Sequence, residues 1–237
     1  MMSGKRWGYV VQFFCLLVFF GMSPFLIKMD GRKTMSVSSD SVRSQNVSDE
    51  VKPVVALTFD DGPNASSTPI LLDGLKERKV RATFFLIGEN VEKDENEKIV
   101  KRMYEEGHLI GNHTYTHCNL SKLETGEAKK ELEQTDTVIE KITGKQPVFV
   151  RAPYGELPVD SEQDLNRIYI GWTVDPLDWM TEDTGAVVKT VVEEINPGDV
   201  ILLHDCYKSS VEAALRIVDL LKAEGFEFVT VDKLILE

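Results

Sequence analysis

The sequence predicts one α/β barrel-like domain of about seven parallel strands, preceded by a hydrophobic anchor helix and a flexible linker. Two observations indicate the domain: residues 51–237 alternate short apolar runs with longer amphipathic segments, and about seven such strand-helix units fit into these 187 residues. A third observation sets the N-terminus apart, because residues 1–50 lack this alternation. We therefore divide the chain into an anchor at 1–28, a linker at 29–50 and a folded domain at 51–237.

The first segment has the length and composition of a membrane-spanning helix. The 21 residues at 7–27 carry no charge, and about 20 helical residues cross a bilayer core. Lys5 and Arg6 precede them, as in a signal peptide or an uncleaved signal anchor. The best candidate for cleavage, Gly21 and Ser23, is followed at once by Pro24, and the apolar run continues to Ile27, which favours the anchor. We expect a single-pass membrane protein with its domain outside the cytoplasm, or a secreted protein if the segment is cleaved.

The predicted strands are short apolar runs, and the helices between them have recognisable start and stop residues. The candidate strands lie at 54–59, 82–87, 109–112, 148–151, 169–173, 199–204 and 227–229. Helices are predicted at 70–78, after Ser67, Thr68 and Pro69, at 125–142, before Gly144, and at about 209–225.

Charge and cysteine content exclude one class of partner and one class of scaffold. The chain has 39 acidic and 27 basic residues, a net charge of -12, and the domain without residues 1–50 has 35 acidic and 21 basic ones, or -14. Because phosphate binding needs clustered Lys and Arg, nucleic acid is excluded as a partner. Three scattered cysteines cannot form a disulfide scaffold. We interpret Cys118 and Cys206 as small buried thiols, and a disulfide between them stays open.

Polar residues follow five of the predicted strands, at the edge where α/β domains place their functional sites. They form five stretches: TFDDGP at 58–63, HTYTH at 113–117, RAPYG at 151–155, DPLDW at 175–179 and LLHD at 202–205. Three of the four histidines lie in them. Since the carboxyl ends of parallel strands meet at one edge, we expect these side chains to converge.

The residue types in two of these stretches indicate a catalytic metal site. His113 and His117 are four residues apart, a spacing that can aim both imidazoles at one divalent ion. Asp60 and Asp61 are adjacent and project in different directions, so one can complete a His-His-carboxylate set while the other stays free as a base. Three protein ligands and one position open to water are typical of a catalytic metal site.

Three further residues in the other stretches suit acid-base chemistry. His204 comes from another strand and is a candidate to protonate a leaving group. Arg151 and Asp178 are candidates to hold a nearby base and acid in their charged states.

Together, the five stretches resemble the motifs of the polysaccharide deacetylase family, also called the NodB-homology or carbohydrate esterase family 4 domain. In chain order they match the family's Asp-Asp-Gly, His-x-x-x-His, Arg-Pro-Tyr, Asp-Trp and Leu-x-His motifs, with Ala152 where the family often has Pro. The resemblance covers essentially all of 51–237, and five ordered motifs are far more specific than any single one. It implies a distorted (β/α) barrel with one strand-helix unit fewer than the usual eight.

The resemblance also implies a ligand set and a nucleophile. Asp60 would be the general base, and Asp61, His113 and His117 would hold one divalent metal that activates a water for attack on an acetyl carbonyl. Zinc suits two imidazoles and a carboxylate best, while Co, Mn, Ni or Fe fit the same geometry.

The remaining motif residues have implied roles around this centre. The backbone N-H of Tyr154 would stabilise the oxyanion, and His204 would protonate the departing amine. Arg151 would pair with Asp60, and Asp178 with His204. The substrate side of the site would be formed by Pro153, Trp179 and Leu202.

The sequence therefore predicts a monomeric, metal-dependent hydrolase that removes N-acetyl groups from a GlcNAc-containing polysaccharide. Peptidoglycan is the expected substrate, followed by chitin oligosaccharides. Two alternatives stay open at this point. One is an O-acetyl esterase that acts on xylan or another acetylated glycan with the same site. The other is a glycan-binding module that keeps the fold without catalysis, against which the complete set of motif residues argues.

Overall fold

The computed structural model of the chain describes residues 52–93, 95–159, 161, 164 and 166–236. The predicted anchor and linker lie outside these residues. Within the described part of the chain, no helix combines the length and the apolar character needed to cross a membrane.

Short strands and amphipathic helices alternate along the described domain. The strands are β1 (Val54–Asp60), β2 (Thr83–Leu86), β3 (Leu109–Asn112), β4 (Phe149–Val150), β5 (Ile168–Tyr169), β6 (Val200–His204) and β7 (Glu227–Val229). The helices are α1 (Thr68–Arg78), α2 (Gly88–Val91), α3 (Asn96–Glu105), α4 (Thr125–Thr143), α5 (Thr184–Glu194), α6 (Lys208–Ala223) and α7 (Val231–Leu236). The three helices predicted from start and stop residues correspond to α1, α4 and α6, with each end within two residues of its prediction.

All strand pairs in the described residues are parallel, and the sheet is curled. The strand order is β5-β4-β3-β2-β1-β6, while β7 pairs with the first half of β1. Beyond β5 the chain crosses to the opposite end of this order, where Val174 forms a parallel bridge with Ile201 of β6. The sheet therefore curls into an incomplete barrel, which confirms the parallel α/β architecture expected from the sequence.

Four predicted strands are longer than the observed ones, and two of them shorten to two residues. The run at 148–151 is a strand only at Phe149–Val150, and the run at 169–173 is replaced by Ile168–Tyr169. The reason is a buried side chain: the Arg151 guanidinium donates from Nε to the carbonyl of Ile170 at 3.2 Å and from Nη2 to that of Gly171 at 2.8 Å. These carbonyls bind a side chain instead of a neighbouring strand, so the fifth strand ends early.

Successive side chains of β2 point to opposite faces of the sheet and so lie in two different parts of the core. Phe84 faces outward into the large cluster formed with α1, α3, α5 and α6. Phe85, on the opposite face of the strand, lies in a smaller cluster with Ala56, Phe149 and Val231. Helices thus cover one face of the sheet, and side chains fill the other. This packing gives the carboxyl ends of the strands a rigid base, from which the loops of the candidate site extend.

Candidate metal centre and catalytic site

Strand register brings the predicted site residues to one edge of the sheet. Asp60 is the last residue of β1 and pairs in register with His204, the last residue of β6. His113 directly follows β3, and Arg151 directly follows β4. Parallel pairing therefore places residues far apart in the sequence beside one another.

Asp61 and the two histidines of the second motif converge on one point. Asp61 has a left-handed backbone, with φ at 71°, which turns its carboxylate away from that of Asp60. Its Oδ1 lies 3.4 Å from Nε2 of His113 and 3.3 Å from Nε2 of His117. The ligand atoms of these three residues all lie within 4.8 Å of one another.

The hydrogen bonds at this point fit a divalent cation. Nδ1 of His113 lies 2.6 Å from the carbonyl oxygen of Arg151, which can only accept, so Nδ1 carries the proton and Nε2 presents its lone pair. Burial lowers the pKa of His117, which favours the neutral imidazole that binds metal. Oδ1 of Asp61 is buried without a hydrogen-bond partner among the described residues. Two imidazole nitrogens and one unpartnered carboxylate oxygen are a donor set that zinc and similar metals bind.

Asp60 is held by a fully buried cation. Nη1 of Arg151 donates to Oδ1 of Asp60 at 2.9 Å and to the hydroxyl of Thr58 at 2.7 Å, and the guanidinium lies 4.3 Å from the ring centre of Phe85. Arg151 is fully buried and Asp60 nearly so. The other oxygen of Asp60 lies 3.8 Å from Nε2 of His113. A carboxylate held in this way, facing the ligand cluster, can accept a proton there.

His204 is held by a buried carboxylate in the same manner. Oδ1 of Asp178 accepts from Nδ1 of His204 at 2.8 Å, and Oδ2 accepts from its backbone N-H at 2.8 Å. Burial lowers the pKa of His204, but the hydrogen bond and charge of Asp178 outweigh it and raise the pKa to about 9. Nε2 lies 4.0 Å from Oδ2 of Asp61. An imidazolium therefore faces the ligand cluster, opposite a carboxylate base, and both ion pairs implied by the resemblance are present.

The third motif adds a backbone donor. Tyr154 has a left-handed φ of 63°, and its ring, 65% exposed, packs against His117 with ring centres 4.9 Å apart. Its backbone N-H has no acceptor within the described residues. A free N-H beside a ligand histidine is suited to an oxyanion.

The residues expected on the substrate side differ in exposure. Trp179 is half exposed in a short 3-10 turn, Asp178–Met180, whereas Pro153 and Leu202 are buried. An exposed residue outside the predicted set, Tyr207, lies beyond His204 with ring centres 6.5 Å apart. Exposed aromatic rings thus stand on two sides of the ligand cluster.

Asp205 links the fifth motif to the first. Its Oδ2 accepts from the hydroxyl of Thr68 at 2.5 Å, and its carbonyl accepts from that of Ser67 at 2.6 Å. A Cβ at Gly62 would lie 2.5 Å from this carboxylate, which explains why the turn after Asp61 needs glycine. These hydrogen bonds therefore connect the end of β6 to the start of α1. Cys118 and Cys206 are both free thiols.

Comparison with known proteins identifies the family. A model of the polysaccharide deacetylase family matches residues 48–170. The chain belongs to this family. This polysaccharide deacetylase is 42% identical over 186 residues to a peptidoglycan-N-acetylglucosamine deacetylase of Bacillus cereus, an alignment that covers 76% of the chain and 67% of that relative. The resemblance inferred from the five motifs is thus confirmed.

Two further relatives differ in their named substrates. The peptidoglycan-N-acetylmuramic acid deacetylase PdaC of Bacillus subtilis is 38% identical over 194 residues, which are 82% of this chain but only 41% of PdaC. Its solved structure matches with a TM-score of 0.74, covering 78% of this chain and 90% of that one. A family 4 acetyl xylan esterase from Clostridium thermocellum, solved with a cobalt ion, is 33% identical with a TM-score of 0.73, covering 77% and 90%. The chain is therefore similar in sequence and fold both to proteins named as deacetylases and to one named as an esterase.

Proposed function

We propose that this polysaccharide deacetylase is a metal-dependent hydrolase that removes N-acetyl groups from GlcNAc-containing polysaccharide, with peptidoglycan as the substrate. One observation carries the proposal: Nε2 of His113, Nε2 of His117 and Oδ1 of Asp61 converge within 4.8 Å, between a buried carboxylate and a protonated histidine. The names of the relatives in the two Bacillus species support the choice of polymer.

The three converging residues are proposed to hold one divalent metal, zinc first, with Co, Mn, Ni or Fe as alternatives. When bound, the metal supplies an activated water and polarises the acetyl carbonyl. His113 donates from Nδ1 and leaves Nε2 available to a metal, and Oδ1 of Asp61 has no hydrogen-bond partner among the described residues.

The residues around the ligands supply the proton transfers. Asp60 takes a proton from the attacking water, and the hydrogen bond from Arg151 orients its carboxylate for this role. The N-H of Tyr154 stabilises the oxyanion, and His204 gives its proton to the leaving nitrogen. The carbon-oxygen bond forms, the carbon-nitrogen bond breaks, and the products are acetate and a free amine on the sugar.

Exposure around the site supports a polymeric sugar substrate. Trp179, Tyr154 and Tyr207 present 51%, 65% and 44% exposed surfaces, and aromatic faces pack well against the apolar faces of sugar rings. Trp179, Pro153 and Leu202 are proposed to line the pocket that receives the acetyl group.

The alternative is an O-acetyl esterase, which the similarity to the Clostridium thermocellum esterase favours as a second candidate. The same residues would then protonate an alkoxide instead of an amine. A non-catalytic glycan-binding module is the third reading, and the complete hydrogen-bonded pairs at Asp60 and His204 argue against it.

A substrate panel separates these readings. Acetate release is measured from N-acetylated peptidoglycan, chitopentaose and acetylated xylan, using the full-length chain after chelation and return of Zn, Co, Mn, Ni or Fe. We expect the highest kcat/KM on peptidoglycan, with a free amine for each acetate. Release from xylan alone would establish the esterase, and no release with any metal would leave the binding module.

The location of the domain is part of the proposal. An uncleaved anchor at 7–27 would hold a monomeric catalytic domain on the outer side of the membrane, next to peptidoglycan. Protease accessibility in intact cells, with membrane fractionation, tests this placement. A chain found in the cytoplasmic fraction would contradict it.

A further inference from the structure

We infer that Glu131, on α4 and outside all five motifs, is a positioning residue that holds the loop between the two histidine ligands and thereby sets the affinity of the site for its metal. The inference rests on the proposed metal centre. It concerns a residue whose carboxylate contacts the loop and no ligand atom in the described structure.

Glu131 binds the middle of the histidine loop through three groups. Its Oε2 accepts the backbone N-H of Tyr115 at 3.0 Å and that of Thr116 at 2.8 Å. The hydroxyl of Thr116 lies 3.1 Å from both carboxylate oxygens. Tyr115 and Thr116 lie between His113 and His117, so one side chain spans the segment that joins the two ligands.

This loop needs external support because its backbone is strained at two places. Thr114 and His117 have left-handed φ values of 65° and 59°, which residues with a Cβ adopt rarely. Such conformations persist when the surroundings impose them. The left-handed turn at His117 directly sets where its imidazole points.

Three other backbone groups of the loop are bound by residues outside it. The carbonyls of Thr114 and Tyr115 each accept at 3.0 Å, from the backbone N-H groups of Gly88 and Glu89. The N-H of Thr114 donates to Oδ1 of Asn112 at 2.8 Å. Glu131 supplies the acceptor for the two N-H groups that follow, so its loss would release the half of the loop nearest His117.

The hydrogen bonds and the charge of Glu131 both favour metal binding at the site. As a charged acceptor it makes stronger hydrogen bonds than a neutral group. Its negative charge also favours a nearby cation. Groups that orient metal ligands typically change metal affinity or activity by about 10- to 100-fold when they are removed.

The test compares zinc affinity in four full-length chains: wild type, Glu131→Ala, Glu131→Gln and Glu133→Ala. Glu133 is a matched control, because it is an exposed glutamate on the same helix whose side chain pairs with Lys129 at 3.6 Å and does not contact the loop. Zinc dissociation constants come from competition with a chelating indicator, and acetate release is measured against free zinc.

Glu131→Ala should weaken zinc binding by about 10- to 100-fold, and Glu131→Gln by less, because a single amide oxygen can still accept both N-H groups while the charge is lost. Glu133→Ala should stay within about twofold of wild type. Acetate release by Glu131→Ala should recover as zinc is raised, which damage to the fold alone would not produce.

An unchanged zinc affinity in Glu131→Ala would overturn the inference. If that variant unfolds without metal, Glu131→Gln decides: equal affinity to wild type overturns the inference, and weaker binding with an unchanged melting temperature supports it. A wild-type chain that binds no zinc and releases no acetate would overturn the proposed function as well. Wild-type binding and acetate release, with equal affinity in Glu131→Ala, would overturn the role of Glu131 alone.

Discussion

The pair of Asp178 and His204 predicts a shift in the pH dependence of the reaction. In the native site the carboxylate raises the pKa of His204 to about 9, against the effect of burial, which lowers it. Asp178→Asn removes the charge and leaves one acceptor oxygen, so only one of the two hydrogen bonds to His204 can remain. Burial then dominates, and the pKa should fall to about 6.5, the ordinary value, or below.

The size of the effect follows from the protonated fraction of His204. At pH 8 this fraction is about 0.9 for a pKa of about 9 and about 0.03 for a pKa of about 6.5, so the rate should fall about 30-fold. At pH 5.5 His204 is mostly protonated in both wild type and Asp178→Asn, so the two rates should differ from this cause by less than about twofold. A profile of kcat/KM for acetate release between pH 5 and 10 measures it.

A matched control lies in the same loop. Asp175 accepts the backbone N-H of Leu177 at 3.0 Å, so Asp175→Asn tests loop damage without touching His204. The basic limb of the wild type should fall near pH 9 and move to lower pH only in Asp178→Asn. If Asp178→Asn lowered the rate equally at every pH and left the limb in place, the reasoning would be refuted.

The pair of Asp178 and His204 should also make the stability of the protein depend on pH. Because the folded pKa of His204 is raised, the pair stabilises the protein fully below pH 6.5 and loses its effect as pH rises through about 9. The difference in melting temperature between wild type and Asp178→Asn should therefore be largest near pH 6 and become smaller as pH rises to 10. A difference that grows with pH would contradict this account.

Four further substitutions test separate parts of the site. Asp60→Asn should lower acetate release by about 10²- to 10⁴-fold while zinc content stays at the wild-type value, and wild-type turnover would remove Asp60 from the role of base. Asp61→Ala removes one of three ligands and should lose zinc on dialysis; retention of one equivalent, measured by metal analysis, would exclude it as a ligand. Arg151→Met leaves Asp60 buried without its cation and should reduce the free energy of unfolding by about 3–5 kcal/mol in urea titrations, whereas a change below about 1 kcal/mol would mean that the pair contributes little. Trp179→Ala should raise KM on peptidoglycan more than it lowers kcat, and an unchanged KM would place the sugar elsewhere.

The fold could be predicted where local pattern and topology agree. Strands such as Leu109–Asn112 and Glu227–Val229 are short apolar runs whose limits match the prediction. The fifth strand could not be placed correctly, because its length depends on the guanidinium of Arg151, which takes carbonyls about 20 residues further along the chain. A tertiary contact of this kind leaves no periodicity in the sequence.

The site could be predicted where its residues lie in motifs at strand ends. Asp61, His113 and His117 converge as their spacing and the parallel topology indicate. Glu131 could not be found in this way, because an acidic residue on an amphipathic helix is ordinarily part of a solvated face. Asn112, which supports the same loop, is easier to recognise from the sequence. It is a polar residue at the end of an apolar strand, and a buried side chain of this kind ordinarily has hydrogen-bond partners.

The hydrogen bonds of Asp205 could be predicted only in part from the sequence. Asp205 directly follows His204 in the sequence, but its hydrogen-bond partner, the hydroxyl of Thr68, lies 137 residues away on α1. Only the paired register of β1 and β6 brings these segments together. Local sequence can thus indicate that a buried carboxylate needs a partner, while the identity of the partner depends on the assembled fold.

The central claim is that a metal held by Asp61, His113 and His117 makes this chain an N-deacetylase. The most direct measurement counts acetate and free amino groups released from N-acetylated peptidoglycan by the full-length chain, before chelation, after chelation and after return of zinc. The account predicts equal amounts of acetate and amine, loss of both on chelation and recovery of both with zinc. Acetate without amine, or release that chelation leaves unchanged, would contradict it.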